Sequence, residues 1–226
     1  MAERRQSVAA LTSGGLDSAI LLAELLKVHD SVQPLYIRTG LVWEGAELEH
    51  LKRFLSAISA PGLRPLQILE MPVGDLYGRH WSITGKDVPD SDTTDEAVYL
   101  PGRNVLLLAK GILWCHLHDV TALALGVLGS NPFADATPQF FAAYQDAVNQ
   151  AVNGRVGIVL PFAGKTKREV MGLGARLPLG LTFSCIRPQG GRHCGRCNKC
   201  AERRRAFAEA GLTDPTEYQP EGSCTV

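Results

Sequence analysis

Leu11-Thr12-Ser13-Gly14-Gly15-Leu16-Asp17-Ser18 is the stretch whose reading decides the fold. A short apolar run, Ser7 to Leu11, leads into it, and an apolar helical run, Ile20 to Leu26, leads out. That order is a strand, a glycine turn and a helix N-terminus. Two adjacent glycines let the backbone approach an anion with no Cβ in the way. The free N–H groups of the first helical turn then point at the anion, and the helix dipole favours its negative charge. Ser13 and Ser18 add hydroxyl donors. Asp17 fits such a cradle when a divalent cation accompanies the phosphates, because Mg²⁺ takes a carboxylate together with phosphate oxygens.

Two better-known phosphate loops do not fit. A Walker loop needs a glycine five residues before its Gly-Lys-Thr; Gly164-Lys165-Thr166 has Val159 at that place. Gly172-x-Gly174 lacks the third glycine of a dinucleotide fingerprint and falls within a helical run. The first stretch resembles the Ser-Gly-Gly-x-Asp-Ser loop of the ATP pyrophosphatase superfamily, which holds the pyrophosphate of ATP and releases AMP. The resemblance implies ATP contacts from Thr12, Ser13, Gly14, Gly15, Leu16, Asp17 and Ser18.

The 226 residues suffice for one large domain with an appended subdomain. Hydrophobic residues at 45% and charged residues at 20% are the proportions of a globular protein in water. A formal net charge of zero offers no basic field for a nucleic acid. No apolar run reaches membrane-spanning length, and Met1-Ala2-Glu3-Arg4-Arg5 leads straight toward the first strand without a signal peptide. A cytoplasmic enzyme is expected, and in that reducing compartment clustered cysteines read as metal ligands.

Further along, 32–37 reads as a second strand and 44–57 as a helix with Leu48, Leu51, Phe54 and Leu55 on one side. A third strand covers 66–69. Residues 72–96, rich in Gly, Pro, Asp and Ser, read as a long loop outside the core, of the kind that covers active sites. A helix at 104–117, a strand at 120–125, a helix over 137–152, a strand at 156–160 and a helix over 166–177 complete the series. Thr137-Pro138 supplies a cap and first position, and Thr166-x-x-Glu169 is a capping box. Strands alternating with helices imply a parallel sheet covered on both faces, with ligands beyond the strands' carboxyl ends.

Cys185, Cys194, Cys197 and Cys200 form C-x₈-C-x₂-C-x₂-C in a Gly- and Arg-rich region. Four thiolates at this spacing suit tetrahedral Zn²⁺. An iron–sulfur cluster is the rival, but its bacterial pattern calls for a nearby Cys-Pro, and here a charged helix over 201–210 follows. With four protein ligands the metal is structural. Cys115 reads as core and Cys224 as a bystander in the tail. Arg203, Arg204 and Arg205 read as a solvated helix face.

Together these pieces resemble the 7-cyano-7-deazaguanine synthase family, an ATP-dependent branch of the pyrophosphatase superfamily. The resemblance spans the chain. Ser13-Gly14-Gly15-Leu16-Asp17-Ser18 is similar to the family's pyrophosphate loop, and Pro101-Gly102-Arg103-Asn104 to its Pro-x-Arg-Asn element. Thr166-Lys167-Arg168-Glu169-Val170 resembles its Thr-Lys-x-Glu-Ile helix start. Leu181-Thr182-Phe183-Ser184-Cys185 with Cys194-Gly195-Arg196-Cys197-x-x-Cys200 resembles its zinc-binding end, Phe183 standing where tryptophan is usual. Two segments depart: Tyr36 to Glu44 replaces an Asp-Tyr-Gly-Gln-Arg-His run, and Gly129 to Thr137 replaces a Tyr-Ser-Gly-Tyr-Pro-Asp-Cys-Arg run, keeping only Asp135 in approximate register.

The resemblance implies an α/β fold: a doubly wound parallel sheet over 1–180 and a zinc-binding subdomain with a C-terminal helix over 181–226. It implies adenylation of a deazapurine carboxylate, then attack by ammonia to an amide and dehydration to a nitrile. Asp17, Arg103 and Lys167 would be catalytic and Asn104 would join the ATP site. Lys167 at a helix start opposes the dipole and so invites an anion. In the departing segments, Phe133 and Trp43 are candidate stacking faces, Asp135 an acceptor for an exocyclic amine, and Arg38 a carboxylate clamp. The plainer alternative makes Phe133 and Trp43 core and Asp135 a cap for the helix from Thr137. ATP, Mg²⁺ and Zn²⁺ are the implied cofactors; a deazapurine acid and ammonia are the partners, and a homodimer is one option for assembly. Competing readings are a paralogue that stops at the amide or uses another amine, a tRNA-modifying enzyme with the same loop, and a non-enzymatic zinc-ribbon module. A long basic face would favour the tRNA enzyme, and the intact loop opposes the last.

Overall fold

Side-chain alternation along β1 (Ser7–Leu11) sets the layers. Val8 and Ala10 enter one core and Ala9 the other, all 1% exposed or less. In the computed structural model, which describes residues 7–220, β1 lies at the centre of a five-stranded parallel sheet. Its partners are β2 (Ser31–Arg38), β3 (Gln67–Glu70), β4 (Ala122–Ala124) and β5 (Gly157–Val159), in the order β3-β2-β1-β4-β5. All four pairings are parallel, with Ala9 opposite Gln33 on one side and Leu123 on the other. Parallel strands need crossover helices. Here α1 (Leu16–Val28), α2 (Glu44–Ala57), α7 (Lys167–Leu173) and α8 (Asn198–Glu209) pack on the Val8–Ala10 side, while α5 (Arg103–Leu117) and α6 (Pro138–Val152) cover the other. The expected doubly wound sheet is thus observed, and the chain reverses direction across it between β1 and β4. Loops leaving those strands splay apart there and open a crevice.

Local signals act as read. Thr137 accepts from the Phe140 N–H at 3.1 Å with Pro138 in the first turn, and the Thr166–Glu169 capping box closes in both directions. Cys115 is fully buried; Cys224 lies outside the described residues. Among those residues no helix is long and apolar enough to cross a membrane.

Three readings are corrected. The helix expected over 166–177 stops at Leu173: Gly172 and Gly174 weaken it, and Gly174 presses so closely on α1 that a Cβ there would lie 2.6 Å from Ile20. The segment 72–96 is no plain loop. It carries α3 (Gly74–Tyr77) and α4 (Trp81–Thr84), and it buries Val73 and Val88 in a second core with Trp43, Phe183 and the four cysteines. Its apolar residues come singly, so they find a core only where the cysteine-bearing segment meets them. Arg203 is not on a solvated face. It is 1% exposed, donating from Nε to Thr216 and from its terminal nitrogens to Thr182, Ser184 and the Leu179 carbonyl.

Candidate active site

The glycine loop is held rigid before any ligand arrives. Thr12 continues the β1 ladder, donating both its N–H and its hydroxyl to the Leu35 carbonyl. The Ser13 N–H donates to Ser18 Oγ at 3.3 Å, and the Ser18 hydroxyl donates to the Gly15 carbonyl at 3.1 Å. Gly14 sits at φ +75°, where a Cβ would be 3.2 Å from Leu51 Cβ and 3.3 Å from the Glu47 carbonyl. Only glycine meets both demands. Gly15 caps α1 with no side-chain acceptor over the helix N–H groups, the condition an incoming anion needs.

The loop's carboxylate and the distant lysine meet. Lys167 Nζ donates to both Asp17 oxygens at 2.8 Å, across 150 residues of sequence. The anion that Lys167 invites from the start of α7 is therefore Asp17. Glu202 on α8 lies 3.9 Å from the same Nζ and accepts from Lys199 at 2.6 Å, extending the charged chain to the cysteine-bearing end. Gly126, just past β4, lets that loop run against Asp17, since a Cβ would come within 3.1 Å of the Asp17 carbonyl. On the C-terminal side, the Phe183 N–H donates to the Gly14 carbonyl at 2.8 Å.

These groups edge a cavity of about 380 Å³, the size of a small-molecule site. Thr12, Ser13, Gly15, Leu16, Asp17 and Ser18 line it, together with Arg103, Asn104 and Lys167. Arg103 forms no ion pair among the described residues, and its Nε is buried without a partner. Asn104 donates its N–H to Asp135 Oδ2 at 3.2 Å and its side-chain amide to the Asp135 carbonyl at 2.8 Å. Asp135 therefore caps the start of α5; the helix from Thr137 uses Thr137 itself.

Of the residues expected on the acceptor side, the structure brings Trp43, Phe133 and Asp135 to the cavity. Trp43 stacks on Trp81 at 5.7 Å and Phe133 on Tyr99 at 4.8 Å between centroids. Arg38 is not brought in: it faces solvent from the end of β2 and pairs with Glu70 at 3.3 Å. Glu47 and Tyr36 were missed. Glu47 lines the cavity while buried, and it accepts from the Tyr36 hydroxyl at 2.9 Å. Burial pushes its carboxyl up to about 7, against the pull of Arg103 and the Tyr36 hydrogen bond. Burial also raises Tyr36 far above an ordinary phenol. A signal existed, because Glu44 and Glu47 occupy the same helical stripe as Leu51 and Phe54. Lys199 and Glu202, which also line the cavity, carried no such mark.

The four cysteine sulfurs lie within 4.8 Å of one another and all four residues are buried. Cys185–Cys197 and Cys194–Cys200 are 3.8 and 4.0 Å apart, far too long for disulfides. Backbone N–H groups of Arg187 and Cys194 point at Cys185 Sγ, and that of Arg196 at Cys194 Sγ. Donors aimed at sulfur favour thiolates, so the cluster can hold a metal ion.

Comparison with known proteins finds relatives over nearly the whole chain. The chain is 32% identical to the 7-cyano-7-deazaguanine synthase of Solidesulfovibrio magneticus, covering 95% of this chain and 97% of that one. It is 30% identical to the synthase of Methanothermobacter thermautotrophicus, covering 93% and 98%. Two solved structures share the fold at low identity. A predicted subunit of tRNA methyltransferase from Methanocaldococcus jannaschii has 15% identity and a TM-score of 0.52, over 96% of this chain and 94% of that one. The U34-tRNA thiolase NcsA of Methanococcus maripaludis has 14% identity and a TM-score of 0.50, over 92% and 68%. With residues 7–211 matching the family described as queuosine biosynthesis protein QueC, the chain belongs to that family.

Proposed function

We propose that the chain is an ATP-dependent carbon–nitrogen ligase that activates the carboxylate of 7-carboxy-7-deazaguanine and converts it with ammonia, through the amide, to 7-cyano-7-deazaguanine. The observation supporting this reading is the meeting, in one cavity, of a pyrophosphate-type loop, the Asp17–Lys167 pair, an unpaired Arg103 and two aromatic stacks. The substrate carboxylate oxygen attacks the α-phosphorus of ATP, and the bond to the bridging oxygen breaks as pyrophosphate leaves. Ammonia attacks the acyl carbon and AMP departs, leaving the amide. A second ATP activates the amide oxygen in the same way, and loss of AMP with the nitrogen's protons forms the nitrile. The residues act by placing charge. The α1 N–H groups and the loop hydroxyls hold the leaving pyrophosphate, while Arg103 and Lys167 neutralise charge around the α-phosphate. Asp17 would hold Mg²⁺, which would supply further charge neutralisation on the pyrophosphate.

Phe133 and Tyr99 are too close to admit a third ring between them, so a ligand ring would stack on an outer face of that pair or of Trp43–Trp81. We assign the cysteine cluster to structural Zn²⁺. A tetrahedron with Zn–S bonds of about 2.3 Å has edges of about 3.8 Å, close to the Cys185–Cys197 and Cys194–Cys200 separations. The metal-binding subdomain is taken to begin at residue 181, with 1–180 as the ATP-binding body, in a cytoplasmic protein.

The test is incubation of the purified protein with 7-carboxy-7-deazaguanine, ATP, Mg²⁺ and ammonia, followed by mass spectrometry. The nitrile together with AMP is expected. Accumulation of the amide alone would identify a paralogue that stops halfway, and absence of AMP would refute the reading.

A further inference from the structure

Among the ionisable groups that line the cavity outside the phosphate chemistry is a buried glutamate. Glu47 stands in the first turn of α2, 8% exposed. The Tyr36 hydroxyl, from β2, donates to its Oε1 at 2.9 Å and fixes its direction. Glu44 adds a like charge from one turn away, but its own oxygens are taken by the Thr39 N–H and hydroxyl and by the Gly40 N–H. Facing it from the start of α5 is Arg103, whose field favours the ionised form without closing an ion pair. Arg103 Nε is itself buried and unpartnered.

A buried carboxylate and a half-buried guanidinium with a buried, unpartnered Nε on one cavity, neither saturated by the other, form an incomplete polar pair. A ligand completes it by offering N–H donors to the carboxylate and a carbonyl oxygen to the guanidinium along one edge. The aromatic stacks require that edge to belong to a flat ring. A lactam ring with an amino group beside its N–H has that pattern. An adenine-type ring does not, because it presents a bare ring nitrogen where the carboxylate needs a donor. Arg103 carries five N–H donors, so its terminal nitrogens remain for the phosphate end.

We propose that Glu47 is the specificity-determining residue of the acceptor site, receiving the ring N–H and adjacent amino group of a guanine-type lactam, with Arg103 on the neighbouring carbonyl. This rests on the deazapurine reading above and adds the residue that chooses the ring. Only the ionised carboxylate accepts two donors. Affinity is therefore constant above about pH 7 and falls tenfold per unit below it, following the carboxyl that burial holds at about 7.

The experiment is calorimetry with a non-hydrolysable ATP analogue present, at pH 6, 7 and 8. The ligands are 7-carboxy-7-deazaguanine and 7-carboxy-7-deazaadenine, and the proteins are wild type, Glu47→Gln and Glu47→Asp. Wild type should bind the guanine-type acid, lose affinity toward pH 6, and bind the adenine-type acid at least about a hundredfold more weakly, as sites that leave polar groups unpaired do. Glu47→Gln keeps an acceptor for Tyr36 yet should lose about a hundredfold in affinity at pH 8, together with the pH dependence and the discrimination. Glu47→Asp should bind weakly but keep the pH dependence. Equal affinity and pH profile in wild type and Glu47→Gln would overturn the assignment. If wild type binds no 7-carboxy-7-deazaguanine, the deazapurine reading falls first and this one with it. Should Glu47→Gln fail to bind the ATP analogue, showing a damaged fold, the wild-type profile decides alone, and constant affinity from pH 6 to 8 refutes the proposal.

Discussion

Lys167→Met separates the two things a buried-edge ion pair can do. The methionine keeps the reach of the side chain and removes its charge. In the folded protein Lys167 Nζ touches both Asp17 oxygens at 2.8 Å, with side-chain exposures of 19% and 26%. Partly solvated pairs of this kind contribute about 0.5–1 kcal/mol to stability. For a chain of this size that is a fall in melting temperature of about 1–4 °C. Asp17→Asn should cost a similar amount, and the double variant should recover part of it, because no carboxylate is left without its cation. Turnover obeys a different scale. Removing one group aimed at charge that develops in the transition state costs about 10²–10³ in rate, or about 2.7–4 kcal/mol. Pyrophosphate release at limiting ATP, measured beside melting, should therefore fall at least about a hundredfold in Lys167→Met and in Asp17→Asn. The double variant should regain melting temperature without regaining turnover. Lys167→Met that turns over within about threefold of wild type would show the pair to be a structural tie, and the assignment of Lys167 to the phosphate site would be wrong.

Elemental analysis of the purified protein should find one tightly held zinc, and Cys197→Ser should lose it and melt at a lower temperature, since a closed thiolate site contributes folding energy; iron in its place would falsify the zinc assignment. Gly14→Ala should destabilise by about 1–2 kcal/mol, because alanine is strained at φ +75° and its methyl meets Leu51 and the Glu47 carbonyl; an unchanged denaturation midpoint would refute the packing argument. Glu47 holds its proton to about pH 7 when folded, well above the 4.5 of an ordinary glutamate. A raised acid binds more protons folded than unfolded, so its contribution is present at low pH and fades as pH rises from about 4.5 through 7, by up to about 3 kcal/mol. Wild type should lose that much relative to Glu47→Gln between pH 5 and 8, and parallel pH profiles of the two would refute it.

Local chemistry was legible and long-range pairing was not. The glycine turn, both helix caps and the cysteine spacing each carry their meaning within sixteen residues or fewer, because turns, caps and metal knuckles are made by near neighbours. The strand sequence also implied a parallel sheet. What no local pattern conveys is which distant groups a crossover brings together. Lys167 could be seen to want an anion, but only the fold makes that anion Asp17. Asp135 could be seen near a helix start, but it caps α5, not the helix that follows it. The burial of 72–96 depends on a surface supplied a hundred residues later, where Asn198 donates to Thr93 and Thr94. Glu47 is the instructive case: its stripe position announced burial, yet its acidity suggested the surface, and the cavity resolves the conflict.

The distance along the chain between Asp17 and Lys167 has a consequence for synthesis. At about 5–20 residues per second, the lysine leaves the ribosome about 8–30 s after the aspartate it will bind. Gly14 waits longer for Phe183, and the cysteines that close the second core come last. A chain interrupted anywhere before residue 167 therefore carries the glycine loop with neither its lysine nor its cysteine-bearing wall. On the proposed function, incomplete chains of this protein should be unable to consume ATP, because the order of translation delivers the lysine and the cysteine-bearing wall after the loop.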